Sequence, residues 1–187
     1  GSEMCIRDRL NIDRNKFLIF IHVMIKDENM ELAIKEAKNA AQRNEIPVGA
    51  IIKEASGEII AIESNKTIEL CDPTAHAEIN AIRTACLARK DLYLSDCTMY
   101  VTLEPCSMCL AAIVNSRLKK LIYGLPSPKY GAFSSNHSTC QNIERAVKNT
   151  EVYGGFYQRE ISQIMKEFFE VRRVRFNGNR YLSLIHI

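Results

Sequence analysis

Two short patterns in this 187-residue chain bring together groups able to hold and use a metal ion: His76-Ala77-Glu78 and, further along, Pro105-Cys106-Ser107-Met108-Cys109. Cys106 and Cys109 are three positions apart, so in the first turn of a helix their sulfurs share a face and can grip one ion. The unpaired N–H groups and positive dipole end of a helix start favour thiolates there. His76, in the first turn of a second predicted helix, completes a tripod. One imidazole and two thiolates suit zinc, and three protein ligands leave a fourth position for water, as in catalytic sites. The expectation is one zinc ion per chain, held by His76, Cys106 and Cys109. Glu78 lies two positions past the histidine, beside the metal without ligating it. A carboxylate there can take a proton from an activated water and pass it to a leaving nitrogen. Either pattern alone is weak, but the pair, with proline before the first cysteine, arises by chance only about once in five hundred such chains. A Cys-x-x-Cys redox pair has no use for His76 or Glu78, and a structural zinc clip wants a fourth ligand.

Regular elements must present these groups. Leu32, Ile34, Ala37, Ala40 and Ala41 recur at helical spacing and predict a helix over 30–43, broken by Pro47 and Gly49. Segments 48–53 and 58–63 read as strands joined at Ser56-Gly57, a hairpin. Asp72-Pro73-Thr74 supplies cap and breaker signals ahead of an amphipathic helix over 75–89. A strand over 98–103 leads to Pro105, which is tolerated in a first turn and opens a helix over 106–115. A strand over 118–123 follows, then a long surface loop over 125–142, rich in Pro, Gly, Ser and Asn. A short strand over 150–153 and a helix over 160–173, with Ile161, Ile164, Met165, Phe168 and Phe169 on its apolar face, close the pattern. This order predicts an α/β protein: a three-layer α/β/α fold around one mixed sheet of about five strands.

The length fits one domain. With 47% hydrophobic and 25% charged residues, the composition excludes a disordered chain, a coiled coil and a collagen-like repeat. A chain of 21.3 kDa buries a core without staples, so a metal would serve chemistry rather than hold the fold. A net charge of +3 is too small to predict a nucleic-acid partner. The local surplus is at the C-terminal end, where Arg159, Lys166, Arg172, Arg173, Arg175 and Arg180 face only Glu160, Glu167 and Glu170. Seven cysteines are an odd number in a chain too long for a small disulfide scaffold. Cys71, Cys86 and Cys97 read as small hydrophobes or bystanders, and His137 with Cys140 as surface residues. The longest apolar run, 17–25, is interrupted by His22 and far short of the ~20 residues a membrane span needs. Lys26-Asp27-Glu28-Asn29 stands where a signal peptide would have small cleavage-site residues. These features predict a cytoplasmic protein with reduced thiols and no membrane association. Residues 1–9 and 182–187 resemble translated sequencing adaptor. The expected organisation is a non-native leader over 1–23, a single domain over 24–176 and a tail over 177–187, its last residues non-native.

The arrangement His-x-Glu followed by Pro-Cys-x-x-Cys is the one by which zinc-dependent nucleobase deaminases are known. Further stretches narrow the resemblance: Ile46-Pro47-Val48-Gly49-Ala50, Asp72-Pro73-Thr74-Ala75-His76-Ala77-Glu78, Thr102-Leu103-Glu104-Pro105-Cys106, and Ser116-Arg117 leading to Tyr123-Gly124. With Pro128-Lys129-Tyr130-Gly131-Ala132 and Phe168-Phe169 before Arg172-Arg173, they resemble bacterial tRNA-specific adenosine deaminases, of the cytidine/deoxycytidylate deaminase superfamily, from about Met30 to Arg175. The resemblance implies hydrolysis of the wobble adenosine of a tRNA anticodon to inosine, with the anticodon stem-loop as partner and a homodimer as the working unit. It assigns zinc binding to His76, Cys106 and Cys109, attack at C6 to the zinc-bound hydroxide, protonation of N1 and then of the departing amine to Glu78, base contact to Asn65, and the pocket wall to Glu45 and Ile46. It places Arg172, Arg173 and Arg175 on the RNA backbone. The chain departs from the family at Ser127, where an acidic residue is usual, in the loop expected to meet the flipped nucleotide.

Two other functions compete. A guanine or other free-base or nucleotide deaminase fits 72–78 and Ile79-Asn80-Ala81-Ile82-Arg83, though not Pro47-Val48-Gly49, Pro128-Lys129 or the basic last helix. A zinc-stabilised RNA-binding module without activity would have no use for Glu78.

Overall fold

Asp27 starts the first helix two residues ahead of the sequence expectation. Its Oδ1 accepts hydrogen bonds from the backbone N–H groups of Asn29 (2.9 Å) and Met30 (3.3 Å), and Glu28 and Glu31 place negative charge at the positive helix end. A computed structural model of the chain describes residues 27–134 and 147–175, the last three by backbone alone. In order, the elements are α1 (Glu28–Gln42), β1 (Gly49–Lys53), β2 (Ile59–Ser64), α2 (Ala77–Arg89), β3 (Thr98–Leu103), α3 (Ser107–Asn115), β4 (Lys120–Leu125), β5 (Glu151–Gly154) and α4 (Gln158–Arg175).

The five strands form one mixed sheet in the order β2-β1-β3-β4-β5. β1 runs antiparallel to both β2 and β3, while β3, β4 and β5 are mutually parallel. Alternation along the strands feeds two cores. Ala50, Ile52, Met99, Val101 and Leu121 face Ala77, Ala81 and Ala85 of α2 and Leu110 and Ile113 of α3. Ile51, Tyr100 and Ile122 face Met30, Ala33 and Ile34 of α1 and Ile161 of α4. The result is the predicted three-layer α/β/α architecture. β1 lies so close to α1 that a Cβ at Gly49 would overlap the Ala33 carbonyl, which explains a glycine at the head of a buried strand.

Three sequence expectations shift. The helices expected at 75 and 106 start at Ala77 and Ser107, and Pro105 lies outside the first turn. The strand expected over 118–123 runs from Lys120 to Leu125, so it carries the chain past Gly124. The stretch from 125 onward is not all surface loop, because Ala132 and Phe133 are buried. His137, Cys140 and the two terminal segments fall outside the described residues.

The parallel pairing of β3 and β4 directs both carboxyl ends to the same side, with Glu104 N–H bonding the Leu125 carbonyl (2.9 Å) just beyond the strands. Ligand sites in open α/β sheets form beyond such strand ends. Here that region holds Cys106 and the 126–134 segment.

Candidate active site

His76 and Cys106 cap α2 and α3, each in extended backbone conformation and neither making a side-chain capping hydrogen bond. Both side chains turn instead into the space between the two helix starts, where Cys109, one turn into α3, joins them. His76 Nδ1 lies 3.8 Å from Cys106 Sγ and 3.4 Å from Cys109 Sγ. The three donor atoms are all within 4.8 Å of one another, with Cys109 buried and the other two half-buried. One nitrogen and two sulfurs at this spacing fit a single zinc ion, and two thiolates would neutralise its charge.

The three donor groups shift one another in opposite directions. A hydrogen bond shared with Cys109, aided by His76, pulls the Cys106 thiol down to about 4. The same bond, together with burial, pushes Cys109 well up. The bond to Cys106 raises His76. Glu78, in the first turn of α2, is only 4% exposed, and burial pushes its carboxyl up to about 7 while His76 pulls the other way. A carboxyl held there trades protons readily near neutral pH.

Asn80, on the next turn of α2, locks the approach to His76. Its Nδ2 donates to the carbonyls of Ser64 (3.0 Å) and Ala75 (3.1 Å), tying the helix to the end of β2. Asn65, also buried, donates from Nδ2 to Glu45 Oε2 (3.4 Å) and Thr67 Oγ1 (3.2 Å). Ile46 is half-buried against the core under α2 and α3.

Glu45 is fully buried and its carboxylate is used up within the protein. Oε1 accepts from the N–H groups of Ile68 and Glu69, both at 2.8 Å, and Oε2 accepts from Thr67 Oγ1 (3.1 Å) as well as Asn65. It therefore orders the 65–69 turn and offers no spare acceptor to a ligand. Arg172 is likewise engaged internally. Its Nη2 donates to the carbonyl (3.0 Å) and Oδ1 (3.1 Å) of Asn44, and its guanidinium stacks 3.5 Å from the centre of the Phe168 ring. The side chains of Arg173 and Arg175 lie outside the described residues.

Sequence reasoning missed Asn80 and, as a site residue, Glu104. An asparagine on an otherwise apolar helix face was the available signal for Asn80. Glu104 showed only as part of the Thr102–Cys106 stretch, since its partners, three backbone N–H groups and the Ser134 hydroxyl, lie far along the chain.

The comparisons agree with this geometry. Residues 24–173 match the MafB19-like deaminase family. The tRNA-specific adenosine deaminase of Agrobacterium fabrum is 42% identical over 150 residues, 78% of this chain and 94% of that one. Its counterpart from Aquifex aeolicus is 41% identical over 151 residues, 80% of this chain and 97% of that one. A solved structure from work on A-to-I editing by tRNA:A34 deaminases at the wobble position of transfer RNA is 41% identical, with a TM-score of 0.62, covering 73% of this chain and 97% of the other. Guanine deaminase from Nitrosomonas europaea, at 20% identity and a TM-score of 0.65 over 75% of this chain and 82% of its own, shares the fold. With this likeness spanning nearly the whole length of its relatives, the chain belongs to the MafB19-like deaminase family and to the tRNA-specific adenosine deaminases.

Proposed function

We propose that this protein hydrolyses adenosine in tRNA, at the wobble position of the anticodon, to inosine and ammonia. The observation that carries this is the His76–Cys106–Cys109 tripod beside buried Glu78, in a chain about 40% identical to tRNA-specific adenosine deaminases over nearly their full length. Zinc bound by those three residues would supply Lewis acidity, making water a competent nucleophile at neutral pH. Glu78 moves the protons: as carboxylate it accepts one from the attacking water and delivers it to N1 of the base, and it then takes the second from the hydroxyl added at C6 and passes it to the departing amino group. Water adds at C6, the C6–N bond breaks, and the balance is adenosine plus water to inosine plus ammonia. Asn65 orients the base, with Ile46 as an apolar wall and Glu45 fixing the turn that carries Asn65. Ser127 lies in the segment that meets the flipped nucleotide.

The basic surplus of α4 supports phosphate contacts by Arg172, Arg173 and Arg175, Arg172 being shared with Asn44. Neutralising all three should flatten the dependence of log K on log salt by up to about 0.7–0.9 per lost contact. Five free cysteines among the described residues suit a reducing compartment, hence the cytoplasm. Among the described residues no helix is long and apolar enough to cross a membrane. The exposed apolar side chains of Ile68, Leu70 and Met108, on segments that flank the site, suit cover by a second copy in a homodimer.

The test is incubation of the purified protein with an anticodon stem-loop carrying wobble adenosine and, in parallel, with guanine, cytosine and cytidine. Inosine from the stem-loop alone is the expected result. Xanthine from guanine with the stem-loop untouched overturns the proposal in favour of a free-base deaminase, and no turnover of any substrate favours a binding module. Elemental analysis should find one zinc per chain, with full occupancy in both Cys106→Ala and Cys109→Ala as the contrary result.

A further inference from the structure

We infer that Glu104 is a positioning residue for substrate: it fixes the 127–134 segment against the Cys106 ligand and so sets where the strand flanking the reacting base is held. The inference rests on the proposed tRNA deaminase activity. Glu104 follows the last residue of β3 and is 3% exposed. Its Oε2 accepts from the Ser127 N–H (2.7 Å) and the Ser134 hydroxyl, and its Oε1 accepts from the N–H groups of Phe133 and Ser134, both at 2.8 Å. A carboxylate has about four acceptor sites, and all four are filled by one segment.

The same segment is tied to the metal ligand through the backbone. Ala132 N–H bonds the Pro105 carbonyl (2.9 Å), and Gly131 pairs with Cys106 in an isolated antiparallel bridge. Gly131 packs so tightly on the Glu104 carboxyl group that a Cβ there would overlap it. Phe133 stacks on Tyr123 of β4, with ring centres 6.0 Å apart and planes within 2°. Held at both ends, the segment presents Pro128 and Lys129 to solvent, with Lys129 Nζ 4.7 Å over the Tyr130 ring. A cation and an aromatic ring on a fixed loop are the groups that grip a single nucleic-acid strand. Hence any slack in the Glu104 bonds displaces those contacts relative to Cys106 without touching the tripod or Glu78.

Glutamine at this position tests the idea, because it has the same shape but only one acceptor oxygen, and its amino group faces two donors. In the full zinc-loaded chain, Glu104→Gln should keep its zinc. It should lose at least about tenfold of hydrogen-exchange protection at the Ser127, Phe133 and Ser134 amides, the weight of one hydrogen bond to a charged group. On the stem-loop, KM should rise about tenfold or more with kcat within about threefold, because the lost contacts bind ground state and transition state alike. Should Glu104→Gln fail to fold, Ser134→Ala removes a single neutral donor and should raise KM about twofold to tenfold with kcat unchanged. Undiminished protection, or a loss confined to kcat, overturns the inference. Hydrogen exchange needs no substrate, whereas wild-type turnover of the stem-loop tests the activity itself, so the two failures are told apart.

Discussion

Glu45→Gln is the substitution that best separates ordering of the 65–69 turn from direct contact with a ligand. Glutamine can keep the Ile68 and Glu69 amides on its oxygen but loses the charge behind those bonds, 2.8 Å each in the native protein. Hydrogen bonds to a charged group contribute about 1.5–3 kcal/mol and neutral ones about 0.5–1.5, so two weakened bonds cost about 2 kcal/mol. For a domain of this size that lowers Tm by about 4–8 °C. The new amino group faces Thr67 Oγ1, which can turn to accept, and Asn65 Nδ2, which cannot. Asn65 must rotate its amide by half a turn to offer oxygen, which reverses the polarity it would show the base in the proposed function. A mispaired buried polar contact costs about 1–3 kcal/mol, so kcat/KM should fall about ten- to a hundredfold. Glu45→Ala strands all four donors and leaves a cavity, and should lower Tm more steeply. The assays are thermal melting and steady-state kinetics on the stem-loop, for Glu45→Gln alone and combined with Asn65→Ala. Because the activity loss passes through Asn65, it should largely vanish in the double variant. An equal loss with and without Asn65, or a Glu45→Gln protein with native Tm and kcat/KM, would refute the reasoning.

Glu78→Gln should retain zinc by elemental analysis and lose kcat by at least about two to four orders of magnitude, the usual weight of a proton-transfer group; near-native turnover removes Glu78 from the mechanism. Asp72, held below the ordinary aspartate range by hydrogen bonds from the Thr74 hydroxyl and N–H, stabilises the fold above the unfolded pKa of about 3.9, an effect lost as pH falls through its lower folded value. NMR titration of its carboxyl should therefore show a depressed midpoint that moves up in Thr74→Val. Among Cys71, Cys86 and Cys97, the described cysteines outside the tripod, thiol labelling at pH 8 should modify exposed Cys71 first and Cys97 last, since burial pushes the Cys97 thiol up to about 11; prompt labelling of Cys97 would contradict its packing. A chain beginning at Met24 should fold and turn over stem-loop as the full chain does, with lost activity in a folded truncation as the contrary result.

The chemistry was legible in sequence because its spacing is local: two cysteines one helical turn apart, a glutamate two residues past a histidine, and breakers that mark the helix starts. The alternation of strand and helix likewise sufficed for a three-layer sheet, since each element needs only its own residues to declare its period. Tertiary structure decided what depends on distant partners. Strand order put β1 antiparallel between β2 and β3, and parallel pairing then brought the ends of β3 and β4 together. His76 and Cys106 became caps rather than first-turn residues because extended backbone at both lets their side chains meet across the gap between two helices. Apart from the family resemblance, nothing in sequence distinguishes Glu45 and Glu104 from ordinary solvated charges. Their meaning comes from backbone N–H groups 23 to 30 residues away, which no local pattern encodes and which only the folded chain delivers to a buried carboxylate. Arg172, which local sequence shows only as positive charge, finds the carbonyl of Asn44, a residue in left-handed conformation (φ 66°) 128 positions away. Charge and spacing are properties of a sequence, but the partner that satisfies a buried charge belongs to the fold.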